Sequence, residues 1–570
     1  MNRFHLPVLV AFCICASYQW QVSTCLALPS KSQSTRKNHL LYNKAKTSIQ
    51  PHQFQRINKY STTNISRRGL GSSLQSSNNV DDKTNNIQRG GGVPPPQPTL
   101  RDLIKFALPC LGLWISGPLL SLVDTASVGL TAKPGMGATD LGALGPATTF
   151  IDGSTYLFAF LNVATTNLYA SALARNRGDE QKSKLAGDAV VRTAVKISLI
   201  CGLGIMALLF TKGEFLLSIY VGDQAAKTIL KPATEYVFIR ALSMPTSLMA
   251  GVLQAALLGS KDSVTPLIAV LVSTIVNIFG DGLLVVALSM GTTGAAIATT
   301  LAQWGGTAAM YRPAKNKLIH PSTPKQRAEH KVTSKNFLAF AAPVLTLILG
   351  KLAAFGVMTH VAAALPGEAS LAAHQIILSL FFFVSPFLEV LSQTAQSFLP
   401  QYYVVKSKIF GDEAQNLAGR LLRLGCSVGM IIACLAASIP RFFPFILTND
   451  ALVQNAVRPL ALPLFLGSLL TAPVAVSEGV LLARRELKFL AGVYLLSTIV
   501  FPFGLFALKK TGGPVANVWY GFVFFQFFRA LCFTGRLWGG PVMSRIASSL
   551  GIRRNDAKKN DGKEGASVMA

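Results

Sequence analysis

Four ionisable side chains lie where the surrounding residues should be in lipid. Asp124 falls within Leu119-Leu-Ser-Leu-Val-Asp-Thr-Ala-Ser-Val-Gly-Leu130, and Lys351, Glu389 and Glu478 sit deep within later apolar runs. A charge in hydrocarbon is costly, so each should face a partner, a cavity or a pathway. A carboxyl in a low-dielectric setting can be poised to hold and release a proton near neutral pH, which would suit Asp124 to proton exchange. Lys351 and Glu389 read either as one buried ion pair or as a place where Lys351 meets an anionic substrate. Glu478 reads either as a buried functional acid or as a helix end at the water boundary. Arg240 and Arg529 also fall inside spans, where they should snorkel or pair.

The elements that must position these groups are transmembrane helices. The chain has 570 residues, 50% hydrophobic and only 14% charged, against about 25% charged in soluble domains. From Leu103 onward, apolar runs long enough to span a bilayer, about twenty residues each, recur twelve times. They cover roughly 103–130, 141–173, 187–211, 232–259, 264–289, 292–311, 336–364, 370–403, 417–440, 456–483, 487–508 and 513–537. The class is therefore an all-α polytopic membrane protein.

The chain also repeats itself. Leu257-Leu-Gly-Ser-Lys-Asp-Ser-Val-Thr-Pro-Leu-Ile-Ala-Val-Leu-Val-Ser-Thr-Ile-Val276 lies without a gap over Leu481-Leu-Ala-Arg-Arg-Glu-Leu-Lys-Phe-Leu-Ala-Gly-Val-Tyr-Leu-Leu-Ser-Thr-Ile-Val500. Phe106-Ala-Leu-Pro109 is echoed by Phe340-Ala-Ala-Pro343. Two six-helix lobes in parallel orientation follow, an arrangement that puts a transporter's site between the lobes. In this register Glu478 falls opposite Gln254.

The net charge of +28 is not a nucleic-acid footprint, because the cations occupy the arm, the tail and the gaps between runs. Gaps on the side of the N-terminus hold 21 Lys and Arg residues, and the opposite gaps hold 8. The positive-inside rule then puts both termini and the 312–335 linker on a cytoplasm-like side, the stroma for a plastid inner membrane. Eight cysteines are scattered without zinc or redox spacing and read as small buried apolar residues.

The expected organisation is a signal peptide over 1–26, a transit-peptide-like segment and linker over 27–98, an N-lobe over 99–311, a basic linker over 312–335, a C-lobe over 336–540 and a polar tail over 541–570. The basic, acid-free and Ser-rich composition up to Asp81 resembles a bipartite plastid presequence, which addresses the protein to the plastid envelope; an ordinary signal peptide with an extension leads instead to another endomembrane.

Several motifs resemble the multidrug and toxic compound extrusion (MATE) family. They are Pro109 with Val123-Asp-Thr-Ala-Ser-Val-Gly129, Leu141-Gly-Ala-Leu-Gly145, Asn277-Ile-Phe-Gly-Asp281-Gly-Leu-Leu284 and Gly294-Ala-Ala-Ile-Ala-Thr-Thr-Leu-Ala-Gln-Trp304. In the second half, Leu371-Ala-Ala-His-Gln-Ile376 and Ser392-Gln-Thr-Ala-Gln-Ser-Phe-Leu-Pro400 resemble plant plastid members of the DinF-like branch. The resemblance covers about 103–540. It implies a twelve-helix, two-lobe antiporter that expels an organic solute, a carboxylate by the likeness to plastid members, in exchange for H⁺ or Na⁺.

By the same likeness Asp124, Asn277, Asp281 and Thr299 form the polar set that handles the coupling ion. Asn277 and Asp281 are spaced i,i+4 and share a helix face, and such oxygens can share a proton or hold a transient Na⁺ at Asp124 and Asp281. His374 belongs to a family-like motif and reads mainly as a packed, hydrogen-bonded residue. The chain departs from the family at Gly282, where proline is common. It also departs at Met358, which occupies the position aligned with Asp124, and at Lys351, on a helix where eukaryotic relatives often carry glutamate. Ion coupling is therefore expected in the N-lobe. No cofactor, resident metal or nucleic acid is expected; the partners are a small organic solute and the bilayer, and the chain reads as a monomer. Readings left open are a lipid-linked oligosaccharide flippase of the same superfamily and a membrane-embedded enzyme, although no HExxH or Walker motif is present.

Overall fold

The computed structural model describes residues 94–549 apart from 132–136, 222, 324, 327–331, 366–367, 406 and 449. The side chains of 118–119, 121–126, 129–142, 221–228, 368, 508–511 and 540–549 also fall outside the described residues. The presequence and its linker up to residue 93, the tail beyond 549 and the side chain of Asp124 are thus not described.

Twelve helical units follow one another among the described residues. They are α1 (Leu100–Thr131), α2 (Gly137–Leu157 and Ala159–Arg175), α3 (Glu180–Val221), α4 (Asp223–Ala241 and Met244–Gly259), α5 (Val264–Gly280, prolonged to Ala287) and α6 (Gly291–Leu318). The second set is α7 (Ser334–Ala363), α8 (Glu368–Phe398, with a short turn Pro400–Tyr403), α9 (Lys408–Phe442), α10 (Ala451–Val457 and Ala461–Ala483), α11 (Leu487–Thr511) and α12 (Ala516–Ser549). Nine are long and apolar enough to cross a membrane, and α4, whose two parts meet at 52°, makes a tenth if counted as one span. The α4 bend follows from Pro245 at the start of its second part, since proline offers no N–H to the preceding turn. Helix α6 continues seven residues past the expected lobe boundary at 311, ending at Leu318.

The repeat is visible in the packing. In the first lobe α1 lies against α5, α2 against α4, α3 against α4, α4 against α6 and α5 against α6. The second lobe repeats every pairing: α7 with α11, α8 with α10, α9 with α10, α10 with α12 and α11 with α12. Glycine lets α5 and α6 approach. A Cβ on Gly280 would stand 2.8 Å from the Ala298 Cβ and 3.1 Å from its Cα. Neither atom can swing aside, so Gly280→Val is expected to cost about 1–3 kcal/mol by overpacking, read as a lower thermal midpoint of the purified protein.

The buried apolar clusters show where the lobes join. One cluster mixes Leu103, Phe106 and Val252 of the first lobe with Phe337, Phe340, Leu399 and Leu490 of the second. All of these lie on the side of the membrane that carries the start of α1. Towards the other side the cores separate. One holds only first-lobe residues such as Phe150, Tyr236 and Val285, and one only second-lobe residues such as Phe381, Trp519 and Phe522. Among the described residues the lobes are fused on the N-terminal side and have separate cores on the opposite side. A small contact at the level of the α2 break, Ile348 and Leu352 against Tyr156 and Phe160, bridges them between these layers.

Polar contacts follow the same division. Asn167 of α2 donates to Gln396 of α8 at 2.8 Å, Arg420 of α9 donates to the Pro98 carbonyl at 3.0 Å, and Thr193 of α3 donates to the Val332 carbonyl at 2.8 Å. On the same face Asp262, just past α4, pairs with Lys317 of α6. Burial pushes the Asp262 carboxyl up, but hydrogen bonds from Lys317 and Thr265 outweigh this and hold it below the usual carboxylate range. With the folded value depressed, the contribution is present above the unfolded value of about 3.9 and lost as pH falls through the folded value. Because Lys317 is half exposed, the effect is small, about 0.2–1 kcal/mol. It should disappear from the acid limb of a stability–pH curve in Asp262→Asn.

Candidate functional site

In the first lobe, α5 carries Asn277 and Asp281 one turn apart. The Asn277 amide donates to the Asp281 carboxylate at 2.9 Å, and both side chains are buried. At Asp281 the helix changes its winding, and Asp281–Ala287 is a seven-residue π-helix. Such segments are rare and often mark functional positions, because one wider turn re-aims the side chains around it. Thr299 of α6 is also buried and donates its hydroxyl to the Ala295 carbonyl at 2.8 Å. Helix α1 runs beside α5, its π segment and α6. The backbone therefore brings together the helices that carry all four residues expected to handle the ion: Asp124, Asn277, Asp281 and Thr299. The Asn277–Asp281 contact is explicit, while the position of the Asp124 side chain lies outside the described residues.

The second lobe holds a different network. Lys351 of α7 pairs with Glu478 of α10 at 3.1 Å. The other Glu478 oxygen accepts from the Tyr494 hydroxyl of α11, which in turn accepts from Arg529 of α12 at 2.7 Å. Arg529 also bonds Gln526, whose amide donates to Thr471. The Arg529 guanidinium stacks over the Phe525 ring at 4.2 Å. This chain of hydrogen bonds crosses four helices. Its end at Lys351 keeps 26% side-chain exposure, against 10% for Glu478. Lys351 lies between Ile348 and Leu352, which pack on the first lobe, and is within electrostatic reach of Tyr156. The ammonium therefore sits where the fused side of the lobes ends.

Of the two readings of Lys351, the ion pair with Glu389 does not form as a direct contact; Lys351 pairs with Glu478. Glu389 of α8 lies within electrostatic reach of Lys351, Glu478 and Arg529. Helix α7 packs on α11, whose Tyr494 ring lies near the Lys351 ammonium and whose hydroxyl donates to Glu478. Nor is Glu478 at a water boundary, since it is buried within α10. His374 is fully buried, with its Nε2 at 3.1 Å from the Thr359 hydroxyl and its ring beside Trp519. Arg240 pairs with Asp152 at 3.4 Å, so both in-span arginines are partnered rather than snorkelling. Nothing in the sequence marks Tyr494, Gln526 or Thr471. The usable signal is Arg529, a cation within an apolar run that must find oxygens nearby, here those of Tyr494 and Gln526.

Comparison with known proteins agrees with this architecture. The MatE family profile matches residues 112–283. Protein DETOXIFICATION 47, chloroplastic, of Arabidopsis thaliana is 32% identical over 464 residues, 80% of each chain. The DNA damage-inducible protein F of Escherichia coli is 38% identical over 205 residues, 35% of this chain and 41% of that one. Among solved structures, MATE in the bent conformation superposes with a TM-score of 0.64 at 17% identity, covering 79% of this chain and 97% of that one. An outward-facing multidrug resistance MATE transporter of the MOP superfamily gives 0.62 at 18% identity, covering 78% and 96%. With twelve helices in two repeated lobes and a relative this similar along four-fifths of its length, the chain belongs to the MATE family of multi-pass membrane transporters.

Proposed function

We propose that the protein is a secondary antiporter that exports an organic carboxylate by alternating access, driven by H⁺ or Na⁺ bound in the first lobe at Asp124, Asn277, Asp281 and Thr299. The observation that carries this reading is the chemical inequality of two equivalent lobes. In the second lobe the buried acid Glu478 is already neutralised by a tethered ammonium, Lys351. An exchanging cation would have to compete with a charge that cannot leave. In the first lobe the Asp281 carboxylate accepts from the Asn277 amide, on a helix packed beside the one that carries Asp124.

Lys351 then has a role of its own. It is the more exposed member of its pair, at the contact between the lobes, and a carboxylate entering there could share the ammonium with Glu478 through charge-assisted hydrogen bonds. The lobe cores, shared on the N-terminal side and separate on the other, suit rocking about a central site. Relatives named as chloroplastic proteins support a plastid envelope address, with the N-terminal face in the stroma. The test is uptake by liposomes containing the full-length protein, with an imposed pH or Na⁺ gradient and a panel of small organic acids and amines. Gradient-driven uptake restricted to acids is the expected result. Uptake of amines alone, or uptake indifferent to both gradients, would contradict it.

A further inference from the structure

Two turns on the N-terminal face have no part in the proposed transport chemistry, yet they are built alike and in an unusual way. Helix α4 ends with the Asp262 N–H bonded to the Leu257 carbonyl and the Lys261 N–H to that of Leu258. The second part of α10 ends with the Glu486 N–H bonded to Leu481 and the Arg485 N–H to Leu482. This is the Schellman closure, whose left-handed position normally takes glycine. Here it holds Lys261 at φ 68° and Arg485 at φ 61°, two of the three non-glycine residues with positive φ among those described. The two positions are equivalent in the internal repeat. Glycine is the unstrained choice at both, and both instead carry a cation.

The two cations lie on the face where the lobes are fused. Lys261 donates to Gln401 of the second lobe at 2.8 Å and stands over the Phe398 ring. Arg485 stands over the Phe340 ring. Each also feels an arginine at the end of α2: Arg485 feels Arg175, and Lys261 feels Arg177. Burial first, and then that repulsion, pushes Arg485 down to about 10 and Lys261 below its ordinary value. The acids beside them are committed elsewhere, with Asp262 on Lys317, Glu486 on Arg536 and Arg484, and Asp179 and Glu180 on Lys182 and Lys184. Among the described residues none of the four cations has a carboxylate partner. The helix dipole favours a positive charge at each helix end, but it does not account for the left-handed backbone at two of them, nor for the gathering of both turns about Pro400–Tyr403, where Lys261 bonds Gln401 and Arg484, next to Arg485, stands over the Tyr403 ring.

We propose that Arg175, Arg177, Lys261 and Arg485 form a binding site for a phosphate-class anion at the seam between the lobes on the N-terminal face. Four cations call for a ligand of more than one negative charge or several oxygens, and guanidinium forks match phosphate geometry. The phosphate belongs either to a lipid headgroup at the membrane surface or to a soluble phosphate. Because the site draws on both lobes, the bound anion favours the fused arrangement.

The experiment compares the full-length protein with Lys261→Gly/Arg485→Gly, which relieves the left-handed strain and should unfold no earlier than wild type without ligand. A second variant, Arg175→Gln/Arg177→Gln, alters only exposed side chains. Thermal unfolding is followed with inorganic phosphate replacing chloride at constant ionic strength, and in nanodiscs of phosphatidylglycerol against phosphatidylcholine. Stabilisation of wild type by phosphate identifies a soluble ligand, and stabilisation by phosphatidylglycerol alone identifies a lipid headgroup. In either case both variants should bind about tenfold more weakly or worse. No stabilisation of wild type by either probe, or the same stabilisation in both variants, overturns the proposal and leaves the four cations as topology signals only.

Discussion

Lys351→Gln is expected to lower the stability of the protein by about 2–4 kcal/mol, the range for removing one partner of a largely buried ion pair. The loss comes mainly from what remains. Glu478 is buried in α10, its second oxygen is occupied by Tyr494, and removing the ammonium leaves that carboxylate without its compensating charge. The partial exposure of Lys351 places the cost below that of a fully enclosed pair. Lys351→Met/Glu478→Leu, which removes both charges and keeps the volume, should recover most of the stability. Chemical unfolding in detergent, compared across the single and double variants, gives the coupling energy directly. If the single variant were as stable as wild type, the pair would be hydrated and the second lobe would hold an acid free to take up an ion.

The second large effect is expected at Asp281→Asn. The side chain keeps its size, and an amide at this position can still bond Asn277, so the helix and its π segment should persist. What disappears is the carboxylate in the buried set of the first lobe. Gradient-driven uptake should fall by about 100-fold or more, the scale of losing a positioned proton-transfer group, while the unfolding free energy changes by about 1 kcal/mol or less. A parallel collapse of stability would identify Asp281 as a packing residue.

The sequence and the structure agree most closely where periodicity and repetition carry the signal. The twelve apolar runs fall on the twelve helical units, because the need to satisfy every backbone group within lipid leaves helices as the solution for long apolar segments. The gapless alignment of Leu257–Val276 on Leu481–Val500 anticipates the repeated helix pairings. Which charges meet is another matter. Lys351 could reach an acid on either α8 or α10, and one sequence does not encode the rotation of two helices about their axes. The same holds for Tyr494, whose hydroxyl matters only because α11 lies between Glu478 and Arg529. The π-helix at Asp281 left no trace either, since Gly280 and Gly282 are compatible with an ordinary α-turn. The left-handed turns at Lys261 and Arg485 ran against the sequence signal, which would place glycine there.

The central claim is that ion coupling resides in the first lobe. It is tested most directly by solute uptake into liposomes under an imposed pH or Na⁺ gradient, comparing wild type with Asp124→Asn. The account predicts that the variant inserts and folds as wild type does but no longer accumulates solute in response to either gradient. Full-rate, gradient-coupled uptake by Asp124→Asn would contradict it and would return the coupling site to Glu389 and Glu478 of the second lobe.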